Sequence, residues 1–112
     1  MERLDQMRKG TTTLAVLKLL VDTGEAMHGY QIARALENRS RGSFQFKEGL
    51  IYPRLHQMEH EGLLRSEWEG ERGSRRRKVY LPTAEGKRRL KEELKQWQAF
   101  NVSMEQLLGL TG

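Results

Sequence analysis

His56-Gln57-Met58-Glu59-His60 sets two imidazoles four residues apart with a carboxylate between them. On a helix, positions i and i+4 share a face, so the pair is spaced to hold Zn²⁺ with Glu59 as base, the inverted H-x-x-E-H arrangement. A catalytic zinc site needs a third protein ligand. The chain has no cysteine, its only other histidine is His28, and no acidic residue is marked out to complete the set. The motif therefore reads as two histidines on one helix face, and no metal, cofactor or catalytic residue is expected.

A second cluster points to a different chemistry. Arg72-Gly73-Ser74-Arg75-Arg76-Arg77-Lys78 carries five positive charges and no negative one, and the chain's net charge is +5, so the whole formal excess sits in this stretch. Each Lys or Arg docked on a phosphate releases condensed counterions, which makes such a tip suited to a polyanion. An arginine there can also enter a narrow A·T minor groove, where the negative potential is enhanced. Runs of charge are usually solvated loops. This one lies between two strand-like runs, Leu63 to Trp68 and Val79 to Leu81, where a hairpin tip would be. Arg75, Arg76 and Arg77 cannot all point one way on a strand, so one of them packs or faces solvent.

The elements that must position these groups are mostly helices. Residues 1–10 either extend a helix or fray. Thr11-Thr12-Thr13 offers N-cap hydroxyls for a helix through about Val21, apolar on most sides and hence central, with Gly24 as its left-handed stop. A second helix is expected from about His28 to Asn38. Phe44 and Phe46 then alternate as in a short extended segment with both rings inward. A third helix, about Glu48 to Glu61, buries Ile51, Leu55 and Met58. Pro53 predicts an irregular first turn there, with regular helix only from near Leu50. Pro82 ends the hairpin and Thr83 caps a last helix to about Leu108. The fold class is mainly α with a small β-hairpin: a winged helix-turn-helix over residues 1–82, including the N-terminal helix, then a C-terminal dimerisation helix over 83–112.

With Ile51, Leu55 and Met58 inward, a rotation of 100° per residue turns Gly49, Pro53, His56 and His60 outward, flanked by Tyr52, Arg54 and Gln57. A helix in the major groove reads base edges chiefly with its N-terminal half. The expected readers are Tyr52, Pro53, His56 and Gln57, with Lys47 and Arg54 on phosphates and Gly49 allowing close backbone approach. Read alone, the same face is equally an ordinary solvated one; the adjacent cationic hairpin favours DNA. Wing contacts are expected from Arg72, Ser74, Arg75, Arg76, Arg77 and Lys78. His28-Gly29-Tyr30 opens the second helix where free N–H groups suit a phosphate. Tyr30 is alternatively a core side chain.

Leu90, Leu94, Trp97, Asn101, Met104 and Leu108 are spaced 4-3-4-3-4, a heptad seam that Phe100 and Leu107 widen. A seam this narrow and apolar expects a partner: its own copy, or the copy's N-terminal segment. Asn101 at a core position would fix register. Folding back on its own domain is the alternative. Trp97 is either an interface anchor or the wall of a pocket where a flat aromatic ligand stacks.

Composition bounds the rest. At 112 residues with 37% hydrophobic and 31% charged residues, this is one soluble domain with a modest core. No window approaches 18 consecutive apolar residues, and Met1 to Asp5 lacks a secretory apolar region, so no membrane partner is expected. The absence of cysteine fits a reducing cytoplasm.

Taken together, these residues resemble the PadR family of transcriptional regulators. The matching elements are Leu17-x-x-Leu20, His28-Gly29-Tyr30-Gln31-Ile32, Gly49-x-Ile51-Tyr52-Pro53-x-Leu55, Met58-Glu59-x-Glu61-Gly62-Leu63-Leu64 and Arg77-Lys78-Val79-Tyr80-x-x-Thr83-x-x-Gly86. They cover roughly residues 12–100, and the single last helix is similar to that of the short subfamily. The resemblance implies a cytoplasmic, homodimeric bacterial repressor that leaves its double-stranded DNA operator when a small aromatic or phenolic effector binds. It also implies that Trp97 lines the effector site between protomers. Leu50 departs from the pattern, which usually has Thr there, so no operator preference carries over. Two rivals remain: an adaptor that docks proteins on its winged helix, and a protein that sequesters aromatics at Trp97 without operator binding.

Overall fold

The computed structural model describes residues 2–70 and 76–110, the side chains of residues 2–9 excepted. Helix α1 runs Glu2–Thr23. Thr11-Thr12-Thr13 is thus not its cap: Thr12 and Thr13 lie buried in mid-helix. Residues 2–9 contain neither Gly nor Pro, so a good helix-forming sequence simply propagates through them, past Gly10. Gly24, at φ +68°, stops the helix.

Strand β1 (Met27–His28) leads into α2 (Gly29–Arg39). A turn follows in which Arg41 and Gly42 both take positive φ. The expected pair of inward rings is wrong by half. Phe46 is buried, but Phe44 is exposed. The segment is a turn rather than a strand: the Phe44 N–H donates to Ser40 Oγ at 3.0 Å and the Phe46 N–H to Glu37 Oε1 at 3.2 Å, so strand alternation does not apply.

Helix α3 spans Glu48–His60, with Pro53 inside it. Regular helix begins earlier than Leu50, and only the first turn is tightened, the Lys47 carbonyl accepting from both Leu50 and Ile51 at 2.9 Å. The N–H that Pro53 lacks would have served the Gly49 carbonyl. Both residues are exposed, so water can serve that carbonyl, and Gly49 has no side chain to crowd the ring.

Strands β2 (Leu64–Glu69) and β3 (Arg77–Pro82) form the wing. The sheet is three-stranded and antiparallel, in the order β1-β3-β2, because Met27 pairs with Tyr80 and His28 with Val79. Helix α4 (Ala84–Leu107) begins at the Thr83 cap, whose Oγ1 accepts from the Gly86 N–H at 2.9 Å and donates to the Gly62 carbonyl at 2.6 Å. Gly86 is needed because a Cβ there would overlap the Leu63 carbonyl. The core joins Val16, Leu17 and Leu20 of α1 to Ile32 and Leu36 of α2, the α3 stripe, and Leu63, Leu64 and Tyr80 below the wing.

Leu90 also lies in that core, 6% exposed, so it belongs to its own protomer and not to an exposed seam. The first turns of α4 pack against α1. Farther along, Leu94 and Met104 are partly buried, while Trp97, Phe100, Asn101, Leu107 and Leu108 are exposed, Leu107 by 78%. The molecule measures 60 × 28 × 24 Å.

Candidate nucleic-acid interface

The pairing of β1 with β3 brings the start of α2 to the base of the wing. α3 lies alongside, and the three elements enclose an open cleft of about 670 Å³. His28, Gly29 and Tyr30 line it from α2, Tyr52 and His56 from α3, and Arg76, Arg77 and Lys78 from the wing. Eight residues expected at the site thus meet on one concave surface. Gln31, Glu48 and Tyr80 line it as well.

His28 is the N-cap of α2. Its Nδ1 accepts from the Gln31 N–H at 3.3 Å while the Gln31 side chain accepts from the His28 N–H at 3.1 Å, a reciprocal capping box. A neutral ring accepting at Nδ1 carries its proton on Nε2, which faces Arg77 Nη1 at 3.2 Å. This contact brings the Arg77 guanidinium to the start of α2, at the base of the wing. Burial first, then the Arg77 charge, pushes the His28 pKa below its ordinary value, with Glu69 opposing. Tyr30 stacks near His28 with ring centroids 6.4 Å apart and is 53% exposed, which rules out the core alternative. Gly29 has a packing reason: a Cβ there would come within 2.9 Å of Tyr52 Cζ, so the missing side chain is what lets the Tyr52 ring lie across the start of α2.

The other α3 positions sit outside the cleft. Lys47, Gly49, Pro53 and Gln57 are exposed, with Gln57 donating to Glu61 Oε1 at 3.4 Å. Arg54 is partly buried and its Nε is enclosed without a protein partner. Leu50 packs against the core. Arg72, Ser74 and Arg75 lie outside the described residues.

Lys78, which also lines the cleft, has a partner within the protein. Its Nζ donates to Glu59 Oε1 at 2.9 Å and sits 5.5 Å from the centre of the Tyr80 ring. Glu59 also accepts from Ser66 Oγ. This carboxylate cannot serve the base role that the His56–His60 motif suggests, and among the described residues no group of three potential ligands is placed to hold a metal ion. The sequence reading missed Glu59 as a structural link, and it missed Trp68, which is 65% exposed on β2. Trp68 carried one signal, its place next to the cationic run. The link to Glu59 carried none, because Ser66 and Lys78 are 7 and 19 residues away.

Comparison with known proteins bears on this face. The chain matches the Transcriptional regulator PadR-like family over residues 16–92, more than half its length. It belongs to that family. PadR regulators bind DNA and are not enzymes. An uncharacterized protein of Lysinibacillus sphaericus is 30% identical over 97 residues, covering 87% of this chain and 86% of that protein. A PadR family transcriptional regulator from Eggerthella lenta superposes with a TM-score of 0.80 at 32% identity, over 96% of this chain and 89% of that one. A transcriptional regulator from Clostridium thermocellum shares the fold, with a TM-score of 0.81 at 22% identity over 90% and 96% of the two chains. Within this PadR chain, no helix among the described residues is long and apolar enough to cross a membrane.

Proposed function

We propose that this PadR chain is a cytoplasmic homodimeric repressor that binds a near-palindromic operator and lets go when a small aromatic or phenolic effector binds at Trp97. Residues 1–82 read DNA and residues 83–112 assemble the dimer. The observation that carries this reading is the cleft in which Tyr52 and His56 of α3, the start of α2 and the wing cations converge. In the major groove, Tyr52, Pro53, His56 and Gln57 meet base edges while Tyr30, Lys47, Arg54 and the wing arginines meet phosphates. Two reading helices are needed for two half-sites one turn apart, and the exposed apolar seam of α4 supports a dimer that supplies them. Trp97, half exposed on that seam, offers a stacking surface for an aromatic effector.

The test is a titration into labelled duplex from upstream of the protein's own gene, at near-physiological salt, with excess random DNA. Saturable binding of two chains per site that survives the competitor is expected, with a log–log salt slope of roughly −5 if three of the four wing arginines of each protomer reach phosphates. Arg75→Ala with Arg76→Ala should weaken all sequences alike. His56→Ala should change relative preference, by about 1–3 kcal/mol at one base position. No selective site after genome-wide selection, or equal effects of both variants on specific and random DNA, would overturn the reading.

A further inference from the structure

Resting on the DNA-binding reading above, we infer that Glu59 is a positioning residue for recognition: its carboxylate holds Ser66 of β2 and Lys78 of β3, setting the wing against the reading helix and keeping one cation off the phosphates. Glu59 sits one residue before the end of α3. Its two partners come from the two strands of the wing, Lys78 at 2.9 Å and Ser66 through its hydroxyl. The Glu59 and Lys78 side chains are only 30% and 27% exposed, so the pair is shielded more than an ordinary surface ion pair. Ser66 and Tyr80 are cross-strand partners, and Lys78 lies over the Tyr80 ring, which is buried in the core. Carboxylate, ammonium and ring thus form one continuous link from α3 through the wing to the core.

The charge states agree with this geometry. Hydrogen bonds from Ser66, then Lys78, hold the Glu59 carboxyl below the usual range, and the bond to Glu59 raises Lys78. Both groups stay ionised at neutral pH. Lys78 also lines the cleft beside Tyr52 and His56. Released from Glu59, its ammonium would face DNA as a sequence-blind cation. Retained, it leaves discrimination to the residues that touch bases.

Two variants separate holding from contacting. Glu59→Gln keeps the size and an acceptor for Ser66 but removes the charge that restrains Lys78. Binding to random duplex should tighten, with a salt slope steeper by about 2 for a dimer. The operator-to-random ratio should fall on the order of tenfold, the scale of one mismatched base pair. Glu59→Gln combined with Lys78→Gln leaves the local charge unchanged. It should keep the wild-type slope while the ratio stays low. A wild-type slope and ratio in Glu59→Gln, or a slope flatter by about 2 in the double variant, would show that Lys78 already contacts phosphate and overturn the inference. The slopes are taken on random duplex, so failure to find a selective operator would overturn the proposed function while still deciding whether Glu59 holds Lys78.

Discussion

The reading face and the outer half of α4 are both exposed, yet the exposure differs in kind. On the reading face the outward groups are polar, charged or aromatic, and several are already positioned by neighbours: His28 by Gln31, Tyr52 against Gly29, Lys78 by Glu59. Such a surface is stable in water and is ordered before any ligand arrives. On α4 large apolar groups, Trp97, Phe100, Leu107 and Leu108, stand exposed, from 49% at Trp97 to 78% at Leu107, whereas Leu90 is core. Apolar side chains at heptad spacing gain little from water and much from a matching helix. The first region is polar and internally braced, and the second is an apolar strip that the proposed dimer would cover.

The sharpest way to break this comparison is to make α4 polar. Phe100→Asp with Leu107→Asp removes two exposed side chains, one heptad apart on the flank of the seam, and touches nothing in the protomer core. Sedimentation should show a monomer with unchanged helicity. Operator affinity should drop on the order of 100-fold or more as the second half-site contact is lost. A dimer that persists would place assembly elsewhere.

Two glycines give a smaller and more local contrast. Gly86→Ala drives a methyl group into the Leu63 backbone carbonyl, which cannot swing aside, and should cost about 3 kcal/mol in thermal unfolding. For Gly29→Ala the nearest atoms all belong to the Tyr52 ring and none is backbone. That ring can move, so melting should stay close to wild type while DNA binding weakens. Equal losses of stability would show that the Tyr52 contact is part of the core and not of the reading face.

The smallest expected effect is a pH dependence at the α2 cap. The folded pKa of His28 lies below its unfolded value, so the neutral, capping form stabilises the fold. That contribution is full above the ordinary histidine pKa and is lost as pH falls below it. Losing a cap costs about 1 kcal/mol, and Asn caps without titrating. His28→Asn should therefore flatten the fall in melting temperature between neutral and mildly acidic buffer. An unchanged fall would assign it to another group.

Much of this was legible because the signals were local. The α3 stripe, the Thr83 cap, the wing strands and the 4-3-4 spacing on α4 each depend on residues within one or two turns of one another. Some misreadings depend on residues brought together by the chain's path, whereas the Thr11-Thr12-Thr13 cap was misread from local signals alone. Strand β1 is two residues long and exists only because β3 lies beside it. Phe44 turns outward because Ser40 and Glu37 take up the backbone around it. Thr11-Thr12-Thr13 looked like a cap because the residues before it show no apolar period, yet nothing there breaks a helix.

By itself the sequence determined the order of the helices and the two wing strands, the α3 stripe, the cationic tip and the apolar spacing of α4, because hydrophobic period and charge are properties of neighbours along the chain. Only the tertiary structure decided that Leu90 is core, that Gly29 exists for Tyr52, and that Lys78 belongs to Glu59 before it can belong to DNA. Those are pairings between side chains 7 to 23 residues apart or more, and no local pattern encodes which of several possible partners the fold will bring within a few ångströms.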